Sequence, residues 1–313
     1  HALFLGVLAA LFAVLPLVAL ALDEPFYIGQ FRRILIFAIA AISLDLVLGF
    51  GGMVCFGQAA FFGLGAYVVA ILNWHAAKGT AFLGLVPGTH NVFVTWPAAI
   101  LVAGVVALLV GLVSLRTTGV YFIMISLAFA QMIYFFFVSL RAYGGDDGLR
   151  FRSDTTIAGL IDTANDVHFY YLVFAIVLGV LYLCHRLVDS RFGLVIQGCR
   201  DNERRMRAIG FATFRYKLVC FTIAGGLAGF AGALFAVHES FISPSIMHWT
   251  RSGDLIVMVV LGGMGTLFGP VVGATAFLLL EKFLPDYTEH WMIVFGPILI
   301  LVVLFARHGI FGL

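Results

Sequence analysis

Apolar runs of roughly 20 residues recur along almost the whole chain, each long enough for a helix to cross the hydrocarbon of a bilayer. They are continuous, unlike the short alternating segments of a barrel strand, so the chain is held to one class: an all-α, polytopic transmembrane helical bundle. Composition agrees, because 62% of residues are apolar and only 11% charged, a balance no ordinary soluble core carries. Within 313 residues there is no polar insert large enough for a soluble nucleotide-binding or catalytic domain of about 100 residues. The chain therefore reads as a single transmembrane domain over 1–313, driven by a gradient or by another chain.

Apolar spans fall at 2–22, 34–50, 55–74, 92–115, 119–139, 168–188, 218–237, 253–284 and 291–306. The 253–284 stretch is too long for one crossing, and Gly262, Gly263, Gly265, Gly269 and Pro270 interrupt its middle, so it reads as two short helices with a break. The 2–22 run lacks a basic leading region and is too long for a signal peptide, so it is read as a retained transmembrane helix. The expected total is about eight to ten spans.

Eight of the eighteen Lys and Arg residues lie between 186 and 217, which assigns the loop at about 189–216 to the cytoplasm. Counting back puts Arg116 inside and the loops at 75–91 and 141–167 outside. Arg32 and Arg33 then fall outside, against the charge rule. Either they snorkel beside Asp23 and Glu24, or one segment between 34 and 74 is re-entrant. Within the basic loop, Ile196, Cys199, Met206, Ile209 and Phe211 form an apolar side. Arg200, Asp201, Asn202, Glu203, Arg204, Arg205 and Arg207 form a charged one, and Gly210 ends the run. A short interfacial helix is predicted. Membrane lipid is one partner for such a face, through anionic headgroups. The interleaved Asp201 and Glu203 favour a specific protein contact.

An internal echo links the two halves. Gly51, Gly52 and Met53 lead to Gly57, and Gly262, Gly263 and Met264 lead to Gly269; each set follows an apolar run holding an acid, Asp45 or Asp254. Paired glycine-broken segments are the pattern of transporters built from an inverted internal repeat, although close helix packing also consumes glycine. Packing alone explains the small residues of 224–233.

Polar residues inside apolar spans are candidates for a solute pathway. Asp45 lies deep in 34–50, where a charge costs roughly 2.5–3.5 kcal/mol, so it faces protein or water and not lipid. Gln58 stands where the broken segment re-enters helix, and Gln131 in the middle of 119–139; each either lines a pathway or bonds a neighbouring helix. Ser252, Gly253 and Asp254 read as a helix start with the acid in its first turn, serving the helix dipole first and a solute second. His238 and Glu239 are read as interfacial residues at an outer helix end. The four cysteines show no metal or redox spacing, and HExxH, GxSxG and the Walker pattern are absent. No catalytic residue, metal site, cofactor or nucleic-acid partner is indicated. The residues by themselves leave open an ATP-coupled permease, a gradient-driven secondary transporter using Asp45, and a passive channel for a small solute such as urea.

Three separated motifs then carry a resemblance. Arg200, Asp201, Asn202 and Glu203, followed by Ala208, Gly210, Lys217 and Phe221, resemble the cytoplasmic loop of the permeases of branched-chain amino-acid ABC importers. The run from Ser43 through Asp45 to Gly52, with Phe56 to Tyr67, is similar to that family's first signature. The run from Gly262 to Ala274 is similar to its second. Together they cover about 35–284, and the 121–148 stretch ending in Gly144, Gly145, Asp146, Asp147 and Gly148 favours the LivM-like over the LivH-like subunit. Departures lie at Asp45, where Asn is common, at Gln58, where His is common, and at Arg205 and Arg207, which replace small residues. The resemblance implies a permease in a bacterial cytoplasmic (inner) membrane. Its implied partners are two ABC ATPase subunits contacting Arg200, Asp201, Asn202, Glu203, Arg204 and Gly210, a second LivH-like permease, and an external solute-binding protein. It implies a solute among leucine-type amino acids, urea, amides and aromatic acids.

Overall fold

The computed structural model describes residues 12–16, 25–82, 86–151, 156–157, 161–162, 166–287 and 296–297. The apolar spans expected at 2–22 and 291–306 lie for the most part outside the described residues. Among the described residues the molecule is helical, with three antiparallel strand pairs only two residues long. Six helices are long and apolar enough to cross a membrane, and the chain is a multi-pass membrane protein.

The first, α1 (Pro25–Asp45), runs into a π turn at Leu46–Phe50. It begins nine residues before the apolar run does, so Arg32 and Arg33 lie inside the helix. Asp23 and Glu24 lie outside the described residues, and Arg32 finds its partners on other helices. Arg32 donates from Nε to His238 Nδ1 at 2.9 Å and from Nη1 to Asp166 Oδ1 at 2.9 Å, and its guanidinium sits 4.8 Å from the Phe169 ring centroid. A charge so paired can enter an apolar helix, and hydropathy along the chain has no access to that pairing. His238 is thus more than an interfacial residue: it ties α1 to the end of a distant helix.

An extended connection leads to α2 (Gln58–Lys78), followed by α3 (Val92–Ser114) and α4 (Val120–Ser139). The start of α2 lies inside the bundle, and its N-cap position, Gly57, offers no capping side chain. Serines from other helices serve instead: Ser252 Oγ accepts from the Ala59 amide at 3.1 Å, and Ser126 Oγ from the Phe56 amide at 3.3 Å. Free amides of a helix end in an apolar interior are costly, which makes these cross-helix caps part of the fold.

Beyond a loop come α5 (Asp166–Val188), the basic α6 (Arg191–Ala208) and α7 (Thr213–Glu239), the longest of the described elements. The small-residue face of α7 does pack. A side chain at Gly225 or Gly229 would overlap Ala107 or Ala103 of α3, and one at Gly232 would overlap the Phe62 carbonyl of α2. The 253–284 stretch is the predicted pair of short helices, α8 (Trp249–Gly262) and α9 (Gly269–Tyr287), packed closely enough that Gly262 faces the backbone of Gly269 and Gly273. Opposite the basic end, Leu149–Arg150 pairs with Phe241–Ile242 and ties the α4–α5 loop to the α7–α8 connection.

Candidate functional site

The two glycine breaks, far apart in sequence, meet in the fold. At the end of α1 the π turn carries Asp45 and Gly49 to the loop between α8 and α9. There the Asp45 carboxylate, 1% exposed, accepts the Gly265 amide at 2.9 Å. Gly49 stands between them: a Cβ at that position would run into both the Asp45 carboxylate and the Gly265 nitrogen. Gly265 itself adopts φ +74°, a left-handed backbone that other residues rarely take. The two breaks differ in form, one a π turn with an extended exit, the other a turn between antiparallel helices. Their remaining glycines serve ends: Gly57 precedes α2 as its N-cap, Gly263 follows α8, and Gly269 and Pro270 open α9, where Thr266 Oγ1 accepts the Gly269 amide at 3.1 Å.

A third element reaches the same point from the basic end. Arg200 of α6 donates from Nη1 to the Gly49 carbonyl at 2.6 Å. Its aliphatic stem lies against Gly52, where φ is +64° and a Cβ would come 2.6 Å from Arg200 Cγ. The stem also needs Gly51 and Gly52 to leave the helical path, so the break makes the groove in which the arginine lies. Arg200 Nε also faces Asp201 at 3.6 Å.

The α6 arm is not the single short helix its sequence suggests. Ser190 caps its start, and Asn202 departs from helical geometry (φ −158°, ψ 93°), with its Oδ1 accepting the Arg205 amide at 3.0 Å. The result is a kinked arm with a fresh cap at the kink. Gly210, at φ +94°, ends it. The expected apolar side divides: Ile196 and Cys199 are buried, while Ile209 and Phe211 are exposed beside Asp201, Arg204 and Arg205. Behind the kink Glu203 anchors the arm to α7, receiving Lys217 Nζ and Arg207 Nη2 at 2.5 Å each and Thr213 Oγ1 at 3.2 Å. Burial pushes the Glu203 carboxyl toward protonation, but its bonds to Lys217 and Arg207 prevail and hold its pKa below the usual range.

A cavity of about 340 Å³ opens between these parts, walled by Gly52, Thr117, Phe122, Arg200, Glu203 and Lys217 among others. Of the expected pathway residues, Asp45 lies at the junction itself. Gln58 is buried in the bundle, donating to Ser43 Oγ at 2.9 Å and the Ala224 carbonyl at 3.3 Å. Gln131 is half-buried on α4 and does not line this cavity. Asp254 pairs with Arg251 at 3.3 Å and stands in the second turn of α8, because that helix starts at Trp249 and not at Ser252. Ser252 cannot cap α8 from inside it and caps α2 instead. Sequence reasoning missed the role of Arg200 toward Gly49; the signal available was only its nearness to a charged face, which says nothing of a partner 151 residues away.

Comparison with known proteins places this geometry in a family. The family model described as the permease component of branched-chain amino acid transport systems matches residues 26–303. The high-affinity branched-chain amino acid transport system permease protein LivM of Salmonella typhimurium is 27% identical over 326 residues, covering 95% of this chain and 74% of that protein. LivM of Escherichia coli is likewise 27% identical, with 94% and 73% covered. Escherichia coli LivH is 25% identical over 285 residues, with 88% and 91% covered. No solved structure matches. The relatives are transport permeases and not enzymes, and the chain belongs with them to the permease components of branched-chain amino acid transport systems.

Proposed function

We propose that this chain is one permease subunit of an ATP-driven importer of the bacterial cytoplasmic (inner) membrane. It translocates branched-chain or other hydrophobic amino acids that an external binding protein delivers. A second, LivH-like permease completes the pathway, and a pair of ABC ATPase subunits docks on α6, where Asp201, Arg204, Arg205, Ile209 and Phe211 are exposed. The ATPases close on ATP and push the arm. Arg200 and the Glu203 cluster pass that displacement to the glycine junction and α7, and the two breaks act as hinges that open and close the path.

The observation carrying this reading is the convergence of Arg200, Gly49 and Gly265 on one point, which links the basic arm directly to both broken segments. A gradient-driven carrier using Asp45 would work alone and has no need of the Arg200 contact that ties the basic arm to Gly49. Gentle purification of the tagged chain followed by mass spectrometry tests the proposal. Recovery of a second permease with ATPase subunits is expected; recovery of the chain alone, under conditions that preserve other importer complexes, overturns it.

A further inference from the structure

A second set of charges lies at the opposite end of α1, away from the arm. Arg33 is on the apolar span Phe26–Phe50, and its Nε is buried without a hydrogen-bond partner among the described residues. Its guanidinium carbon sits 5.7 Å from the Phe37 ring centroid. Two openings share Arg33. The outer, about 190 Å³, is lined by Gln30, Arg33, Glu281 and Lys282; the inner, about 40 Å³, runs between Arg33 and Arg251. Phe37, Phe62 and Phe235 wall the inner one as a mutually packed triad with centroid separations of 5.4 to 5.7 Å.

The charges of this region do not cancel. Among the described residues that line the two openings, Arg33, Lys282 and Arg251 meet one acid, Glu281, while Asp254 outside them pairs with Arg251. A surplus cation with an unbonded N–H, inside a span of low dielectric, is costly unless an anion meets it. Guanidinium offers the fork geometry that carboxylates accept, and the phenylalanines beside it suit an apolar body. We infer that the Arg33 and Arg251 chamber is a binding station for a solute carrying a carboxylate on an apolar body, with the Phe37, Phe62 and Phe235 triad as its closed inner wall. This rests on the importer reading and locates a solute contact at residues away from Asp45 and Gln58. The inner opening now holds little more than water, so passage requires the triad to part.

The test uses the complete reconstituted transporter, with ATP inside the liposomes and radiolabelled L-leucine, benzoate or urea outside. Variants are compared at equal amounts of assembled complex. Arg33→Gln and Arg251→Gln are expected to lower uptake of the transported carboxylate about tenfold or more, chiefly through a raised KM. Arg33→Lys and Arg251→Lys keep the charge and should recover a substantial part, which separates solute binding from a packing role. Glutamine variants that transport at the wild-type rate, or lysine variants as defective as the glutamine ones, overturn the site. A wild type that carries urea and neither carboxylate overturns the solute class. Absence of any ATP-dependent uptake by the wild type, seen before a variant is compared, would instead refute the importer reading.

Discussion

At the scale of single residues the junction has no slack. Gly49→Ala would force a methyl group against the Gly265 backbone and the Asp45 carboxylate, neither of which can yield without moving a helix end. It should prevent stable assembly, read as loss of the folded peak in size exclusion. Gly52→Ala is milder, combining a left-handed backbone cost of about 1–2 kcal/mol with displacement of the Arg200 stem, and should lower the melting temperature while leaving a folded protein. Arg200→Ala removes the bond to Gly49 and should reduce solute moved per ATP several-fold in the reconstituted transporter, with the ATPase subunits still bound. Glu203 supplies a pH dependence. Its folded-state pKa is depressed below 4.5, so its contribution to stability is complete above that value and fades as the pH falls through the lowered one. Thermal unfolding measured from neutral pH downward should show an acid loss near and below that value which Glu203→Gln lacks. The glycines of this junction were legible in the sequence as a paired pattern, and so was Asp45, whereas Asp254, its counterpart in that pattern, pairs with Arg251 away from the junction. That Asp45 binds the other break and Arg200 clamps the first was not, because both bonds depend on how distant helices pack.

At the scale of elements, α6 is two helical pieces that meet at a kink at Asn202. Removing the cap in Asn202→Ala should cost about 1 kcal/mol, loosen the segment after the kink, and accelerate amide exchange there while the piece anchored by Ser190 is unaffected. The pattern of apolar and charged residues predicted the arm but not its joint, since an asparagine inside a helical stretch looks the same in sequence whether it caps or merely faces solvent. Helix α1 shows the complementary failure. Its start was placed too late because Arg32 and Arg33 read as a polar boundary, whereas Asp166 and His238 from other helices let Arg32 enter the bundle. The close fit of α7 against α2 and α3 was legible in its small residues. Gly229→Val, at the point where α7 meets Ala103, should destabilise the bundle by about 1–3 kcal/mol, measured as a fall in melting temperature.

At the scale of the whole molecule the helices divide by how much of them this chain covers. Among the described residues 89% of the apolar span of α1 is buried, against 22% for α4, which leaves the outer faces of α4 and α3 uncovered by them. The division follows from sequence only in part: α1 and α4 are almost equally apolar, and only packing shows which one is central. Placement of Asp45 against Gly265 also has a consequence for how the protein is made. The two residues are 220 positions apart. At synthesis rates of about 5–20 residues per second, the Asp45 carboxylate waits on the order of ten to forty seconds for its amide partner to leave the ribosome. Throughout that interval the newborn chain carries an uncapped acid at the end of α1, and a translation product cut short before Gly265 would keep that acid without its amide.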